Sequence, residues 1–128
     1  MLAPMAPLTG SRITALMLFA EDTHAVANWW AVAFGIERLE VEEHPQGDFV
    51  FFDAFGIEVG VHAADPKKNP IGGSPVVYFS VSSVEAAREA MIELGATPHR
   101  GPLMVDRRRS ICQLRDPFGN VFGLDGLH

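Results

Sequence analysis

Two side chains of one strand and a tyrosine of another are the places where this sequence could do chemistry. Glu58 and His62 lie in Ile57-Glu58-Val59-Gly60-Val61-His62, and Tyr78 lies in Val76-Val77-Tyr78-Phe79-Ser80. Alternation along an extended chain puts Glu58, Gly60 and His62 on one face, with the two polar ends roughly 13 Å apart at about 3.3 Å per residue. That span is too long for a single ion. Glu58 reads either as a general base in an apolar cleft or as a partly exposed strand carboxylate. A metal held by one of the pair together with Tyr78 or His99 is the alternative arrangement. His24, His44, His99 and His128 fall at a helix start, near loops and at the terminus, where solvated surface histidines are expected. The run Asp106-Arg107-Arg108-Arg109 offers guanidinium groups for an anion, or is a solvated loop.

Other constellations are missing. There is no nucleophile elbow, no glycine loop that cradles phosphate and no Cys–His pair at a recognisable spacing. The single cysteine, Cys112, excludes an internal disulfide and a cysteine-rich zinc site. Its neighbours, Ser110-Ile111-Cys112-Gln113-Leu114, make it a small buried hydrophobe.

The elements that must position these residues come from a chain of 128 residues with 48% hydrophobic and 20% charged content, enough for one domain with a real core. A net charge of −6 disfavours nucleic acid and mildly favours a cationic partner. No apolar run reaches the 18–20 or so residues of a membrane span. The start, Met1-Leu2-Ala3-Pro4-Met5-Ala6-Pro7, lacks a basic n-region and a full apolar core, so a cytoplasmic location is expected.

The chain repeats itself. Asp53-Ala54-Phe55-Gly56-Ile57-Glu58-Val59-Gly60-Val61 aligns with Asp116-Pro117-Phe118-Gly119-Asn120-Val121-Phe122-Gly123-Leu124, with Asp, Phe and both Gly in register. Each copy reads as a turn feeding a strand. Upstream, the strands 13–20 and 76–81 each precede a helix. Asp22 or Thr23 is expected to cap the first helix, and Ser82 with Glu85 forms a capping-box spacing for the second. Gly35 and Gly95 supply left-handed C-caps. Val26, Trp29 or Trp30, Ala33 and Phe34 make the first apolar stripe; Val84, Ala87, Met91 and Leu94 make the second. Three strands follow each helix, near 36–43, 47–53 and 57–63, then 97–103, 109–115 and 121–125. Residues 1–11 are expected to form a flexible arm, and 12–126 one domain: a first unit at 12–64, a Pro/Gly-rich linker at 65–75 and a second unit at 76–126.

A strand and capped helix carrying Trp29-Trp30 ahead of Phe34-Gly35, with the closing turn Asp116-Pro117-Phe118-Gly119-Asn120-Val121, resembles the vicinal oxygen chelate superfamily of glyoxalases, bleomycin resistance proteins and dioxygenases over about residues 12–125. The resemblance implies an α+β fold of two tandem βαβββ units forming a U-shaped sheet cleft with helices outside. It also implies where metal-dependent members hold their ion: on Ala15, Gly60, Val76 and Gly123 of this chain. None of these side chains has a donor atom, so neither a metal nor another cofactor is expected.

Strand parity relative to Ala15 and Val76 then turns Met17, Phe19, Tyr78 and Ser80 into the cleft, backed by Leu16, Leu18, Val77 and Phe79 on the opposite face. The expected ligand-binding set is Met17, Phe19, Phe51, Glu58, His62, Tyr78 and Ser80, apolar walls with a few polar handles, unless these side chains close the cleft into packed core. The resemblance therefore implies a metal-free small-molecule-binding protein of the bleomycin resistance type, sequestering an aromatic or cationic compound and conferring antibiotic resistance. The alternative is a metal-dependent lyase, isomerase or dioxygenase with displaced ligands; a purely structural or regulatory domain is a third class. A small-molecule ligand is the expected partner, with no nucleic acid and no membrane, and exposed sheet edges would permit a homodimer.

Overall fold

The computed structural model describes residues 6–127; the start of the expected arm and His128 lie outside the described residues. The elements run β1 (Ile13–Ala20), α1 (Thr23–Phe34), β2 (Glu40–Glu42), β3 (Phe49–Ala54), β4 (Ile57–Ala63), β5 (Val76–Val81), α2 (Val84–Glu93), β6 (Thr97–Met104), β7 (Arg109–Arg115) and β8 (Val121–Leu127). The fold is α+β, and the order strand–helix–strand–strand–strand occurs twice. No helix among the described residues is long and apolar enough to cross a membrane.

The chain divides into two compact units, Thr14–Val77 and residues 6–13 with 78–127. In the first, the strands lie in the order β2-β3-β4-β1, with β1 parallel to β4 and the other pairs antiparallel. In the second, the order is β5-β8-β7-β6, again with one parallel pair, β5 and β8.

Local chemistry sets the helix ends. The Asp22 carboxylate accepts the Ala25 amide at 3.0 Å, so the first cap is the aspartate. At the other end Gly35 takes φ 73°, and Ile36 N–H reaches back to the Ala31 carbonyl at 2.8 Å, closing a Schellman turn. In α2 the same pair of bonds runs from Gly95 to Ile92 and from Ala96 to Met91, with Gly95 at φ 110°. The cap of α2 differs from the sequence reading: Ser83, not Ser82, accepts the Ala86 amide, and Glu85 sits in the first turn near the positive end of the helix dipole.

Each helix lies on one face of its sheet. Under α1, Ala27 and Ala31 pack against Val50, Val59, Val61 and Phe52, joined by Leu18 and Phe34. The expected stripe placed a tryptophan there. Instead Trp29 is 64% and Trp30 37% exposed, because alanines at i and i+4 let the helix backbone approach the sheet closely and turn the indoles outward. Under α2 the core is Val84, Ala87, Ala96, Cys112, Leu114 and Leu124; Cys112 is buried as expected, and burial pushes its thiol pKa up. Met91 joins this core, but Leu94 is the C-cap and is exposed. Leu8 also packs here, and Ser11 Oγ donates to the Ser80 carbonyl at 2.7 Å, so residues 6–11 are held against the second unit.

Candidate functional site

The faces turned away from the helices carry the residues singled out above. In the first unit the register sets Met17 beside Gly60 and Gly60 beside Phe51, with Ala15 beside Glu58 and Glu58 beside Asp53. In the second it sets Tyr78 beside Gly123 and Gly123 beside Gln113.

Gly60 and Gly123, which the resemblance sets at ligand positions, are seats for rings. A β-carbon built on Gly60 would stand 2.6 Å from Cε1 of Phe49 and 3.0 Å from Sδ of Met17. One built on Gly123 would fall on the ring of Tyr78. The aromatic side chains occupy the space above these small residues. Such a pairing of a glycine with a cross-strand aromatic protects the bare backbone from water. Ala15 and Val76 are buried as well. No group of three His, Cys, Asp or Glu among the described residues could hold an ion. The residues present therefore do not fit the family's metal centre.

A run of nearly parallel rings crosses the first unit. Phe19 and His62 stack at 6.4 Å between centroids, His62 and Phe49 at 4.1 Å, and Phe49 and Phe51 at 4.8 Å, all within 16° of parallel. Phe51 ends the run at a cavity of about 470 Å³, whose other walls are Ile36, Arg38, Glu40, Phe52, Asp53 and Glu58. It is an open depression on the surface rather than an enclosed cavity. Three carboxylates border the ring; Glu40 is paired with Arg38 at 3.2 Å in the open, where such pairs contribute little.

Of the seven expected site residues, Phe51 and Glu58 share this cavity, and Phe19 and His62 belong to the stack behind it. Met17 is buried, and its Sδ lies beside Gly60, as the Phe49 ring does. Ser80 is engaged elsewhere: its hydroxyl accepts the Arg12 amide at 3.0 Å, and it borders a second cavity of about 500 Å³ near the start of α2. Tyr78 lies in the second unit, where the Gln113 amide donates to its hydroxyl at 2.8 Å. Glu40 and Asp53 were missed because only the β2–β3–β4 register brings them beside Phe51 and Glu58.

Two expectations about charged groups are corrected. His99 is buried rather than solvated, 3.4 Å from Arg115, because a register shift in β6 between Pro98 and Arg100 turns it inward. Arg109 is neither a free anion clamp nor a loop residue; it grips Asp125 of β8 through two bonds of 2.6 and 2.7 Å. His24, half exposed, bonds Asp48 at 2.8 Å.

Burial raises the pKa of the Tyr78 hydroxyl above 10.0, partly offset by the Gln113 bond. Folding thus favours the neutral phenol. The contribution is complete below pH 10 and is lost as pH rises through the raised value. Tyr78 is the only tyrosine, so phenolate absorbance reports it alone. A titration midpoint above that of the urea-unfolded chain is expected, with stability declining over the same interval; equal midpoints in both states would contradict the burial.

A family model described as the Glyoxalase/Bleomycin resistance protein/Dioxygenase superfamily matches residues 12–124. No curated protein matches the chain. Among solved structures, a hypothetical protein from Bacillus halodurans C-125 is 14% identical, with a TM-score of 0.71 over 92% of this chain and 95% of that one. Methylmalonyl-CoA epimerase from Mycobacterium tuberculosis is 15% identical, with a TM-score of 0.66 over 99% and 93%. A glyoxalase/bleomycin resistance protein/dioxygenase superfamily member from Vibrio splendidus 12B01 is 16% identical, with a TM-score of 0.61 over 91% and 98%. At these identities the likeness is one of fold.

Proposed function

We propose that this chain, which belongs to the Glyoxalase/Bleomycin resistance protein/Dioxygenase superfamily, is a small-molecule-binding protein that takes a flat aromatic cation without using a metal. The observation that carries this reading is the cavity at Phe51. Its ring is backed by Phe49, and Glu40, Asp53 and Glu58 line the same cavity, with Arg38 paired to Glu40. A planar ligand continues the ring stack on Phe51, and its positive charge is met by carboxylates and by the ring itself. Phe19 and His62 stiffen the stack from behind, and Met17 supports its floor. Tyr78 and Ser80 belong to the wider set: Tyr78 shapes the second unit's helix-free face, and Ser80 anchors the segment at Ser11 and Arg12. The physiological role in this reading is sequestration of a toxic compound in the cytoplasm, hence resistance.

Supporting it, the four positions at which the family's metal-dependent members place ligands offer no donor, and rings fill the two that are glycine. The test pairs metal content with binding. Purified protein is exposed to Zn²⁺, Ni²⁺, Mn²⁺ and Fe²⁺, dialysed and assayed by elemental analysis. Thermal shift and calorimetry then compare a planar aromatic cation such as an acridinium dye, its neutral analogue and an aliphatic ammonium. Retained metal far below one per chain is expected, with stabilisation by the aromatic cation alone. Phe51→Ala should weaken that binding about tenfold or more, in keeping with a stacking contact of 1–3 kcal/mol. Glu58→Gln should narrow the preference for the charged ligand over its neutral analogue. Near-stoichiometric metal would overturn the reading in favour of an enzyme with displaced ligands. No stabilisation by any member of the panel would favour a closed, structural domain.

A further inference from the structure

The β6–β7 hairpin ends in a tip that is at once apolar and basic. Every residue from Gly101 to Arg108 is exposed. Within that run Leu103 is 62%, Met104 57% and Val105 47% exposed, three consecutive aliphatic side chains at the end of an edge strand. Leu103 pairs with Ile111 and Met104 with Ser110 across the ladder, so the two side chains take opposite faces of the hairpin and both stay exposed. The turn holds its own shape. Val105 N–H donates to the Arg109 carbonyl at 2.9 Å, and one Asp106 oxygen accepts the Arg108 and Arg109 amides, each at 2.9 Å. The Asp106 carboxylate thus serves the turn, and that of Asp125 is engaged by Arg109 at its base. Arg107 and Arg108 are exposed beside the aliphatic run. Charge is divided unevenly along the chain. Residues 97–109 hold four of the ten basic residues and one of the sixteen acidic ones, a net +3, so the rest of the chain carries −9.

We infer that this tip docks on the surface of an anionic phospholipid bilayer, with Leu103, Met104 and Val105 entering at the headgroup boundary and Arg107 and Arg108 meeting the lipid phosphates. Apolar insertion and basic attraction are the two contributions that hold a peripheral protein on such a surface. The contact is with the bilayer surface, so the lack of a spanning helix does not bear on it. Charge confines the contact to the tip. Attraction between exposed charges fades within about 8 Å at physiological salt, so the basic tip is drawn in while the acidic remainder is repelled. Size and shape argue against a protein partner. Even at about 200 Å² per large side chain, three half-exposed ones offer roughly 300 Å², well below the 800 Å² or so per partner of a specific interface. Strand addition at the β6 edge is blocked as well, since Pro98 and Pro102 lack N–H donors and two register shifts break the ladder. Nucleic acid has no use for the aliphatic run, and residues 97–109 hold no Phe, Tyr or Trp on which a base could stack.

Vesicle flotation of the full chain tests this, with vesicles of phosphatidylcholine alone and of phosphatidylcholine mixed with phosphatidylglycerol. The chain should float with the mixed vesicles and not with the neutral ones, and rising salt should release it. Arg107→Ala/Arg108→Ala should weaken the binding about tenfold or more, at roughly fivefold for each arginine near an anionic surface. Leu103→Ser/Met104→Ser should weaken it to a similar degree at unchanged charge. All four positions are exposed, so circular dichroism should show the fold intact. The chain supplies its own control in Lys67 and Lys68, a second exposed basic pair, on the turn closed by Asp65 and Asn69. Lys67→Ala/Lys68→Ala should leave binding unchanged. Failure to float with the mixed vesicles at low salt overturns the inference. So does binding that the lysine variant weakens as much as the arginine one, or that Leu103→Ser/Met104→Ser does not weaken, since either would mean general attraction without docking of the tip. Capture of the chain by an acidic protein or by RNA, without flotation, would also overturn it.

Discussion

Replacing Gly123 with glutamate is expected to unfold or severely destabilise the chain, not to restore a metal ligand. The family resemblance implies a metal-ligand position here, so a motif argument would call the change a repair. The geometry argues otherwise. Tyr78 and Gly123 are direct cross-strand partners, and the phenol ring occupies the volume any side chain at 123 would enter. A β-carbon alone forces the ring or strand to shift, at a cost of about 1–3 kcal/mol. A carboxylate adds the burial of an unpaired charge, bringing the total to about 4 kcal/mol or more. That is a large share of the stability of any small domain. Gly123→Ala isolates the steric part, and in a Tyr78→Ala background it should cost far less, because the ring it collides with is gone; additivity of the two changes would show that they do not meet. Urea denaturation measures the four proteins of this cycle and Gly123→Glu, and elemental analysis of whatever Gly123→Glu protein folds reads its metal. A well-folded Gly123→Glu variant holding one ion per chain would sink the account of the glycines as ring seats.

What could be read in the sequence was the part set by neighbours in the chain. Asp116 takes the amides of Phe118 and Asn120 and the Asn120 side chain within five residues, bonds that hold its carboxyl below the usual range, with the Asn120 side-chain bond foremost. The same local logic gave Asp22, Gly35 and Gly95 their roles. That Ala15, Gly60, Val76 and Gly123 carry no donor atom needs only residue types; that these are the metal positions is what the resemblance implies.

What covered those positions was not. Phe49 over Gly60 and Tyr78 over Gly123 depend on which strands pair and in what register, a choice made by tertiary packing. The indoles misled for a related reason: a helix stripe was sought among large residues, while the close contact of α1 with its sheet is made by Ala27 and Ala31. His99 turned inward through an irregularity in β6 that alternation cannot foresee. Phe51 and Glu58 were expected from composition and alternation and line one cavity; that Glu40 and Asp53 line it too follows only from the neighbouring strands.

The second large effect is expected at Arg109. Its guanidinium meets the Asp125 carboxylate side on, Nε to Oδ1 and the terminal nitrogen to Oδ2, the bidentate arrangement that combines charge with fixed geometry. Asp125 is 8% exposed and Arg109 40%, so the carboxylate is the buried member. Arg109→Leu removes this bidentate partner from the buried carboxylate. Breaking a buried pair from one side costs about 3–5 kcal/mol, and the low end applies because the arginine already reaches water. Arg109→Leu/Asp125→Leu removes the buried charge as well and should recover most of that loss. The surface pair Arg38–Glu40, with side chains 86% and 51% exposed, is the internal comparison: Arg38→Leu should change stability by about 0.5 kcal/mol or less. Urea midpoints at constant slope give all three values. If Arg109→Leu is as mild as Arg38→Leu, the carboxylate of Asp125 is reaching water by a path the buried face does not offer, and the second unit's helix-free face is more open than its packing indicates.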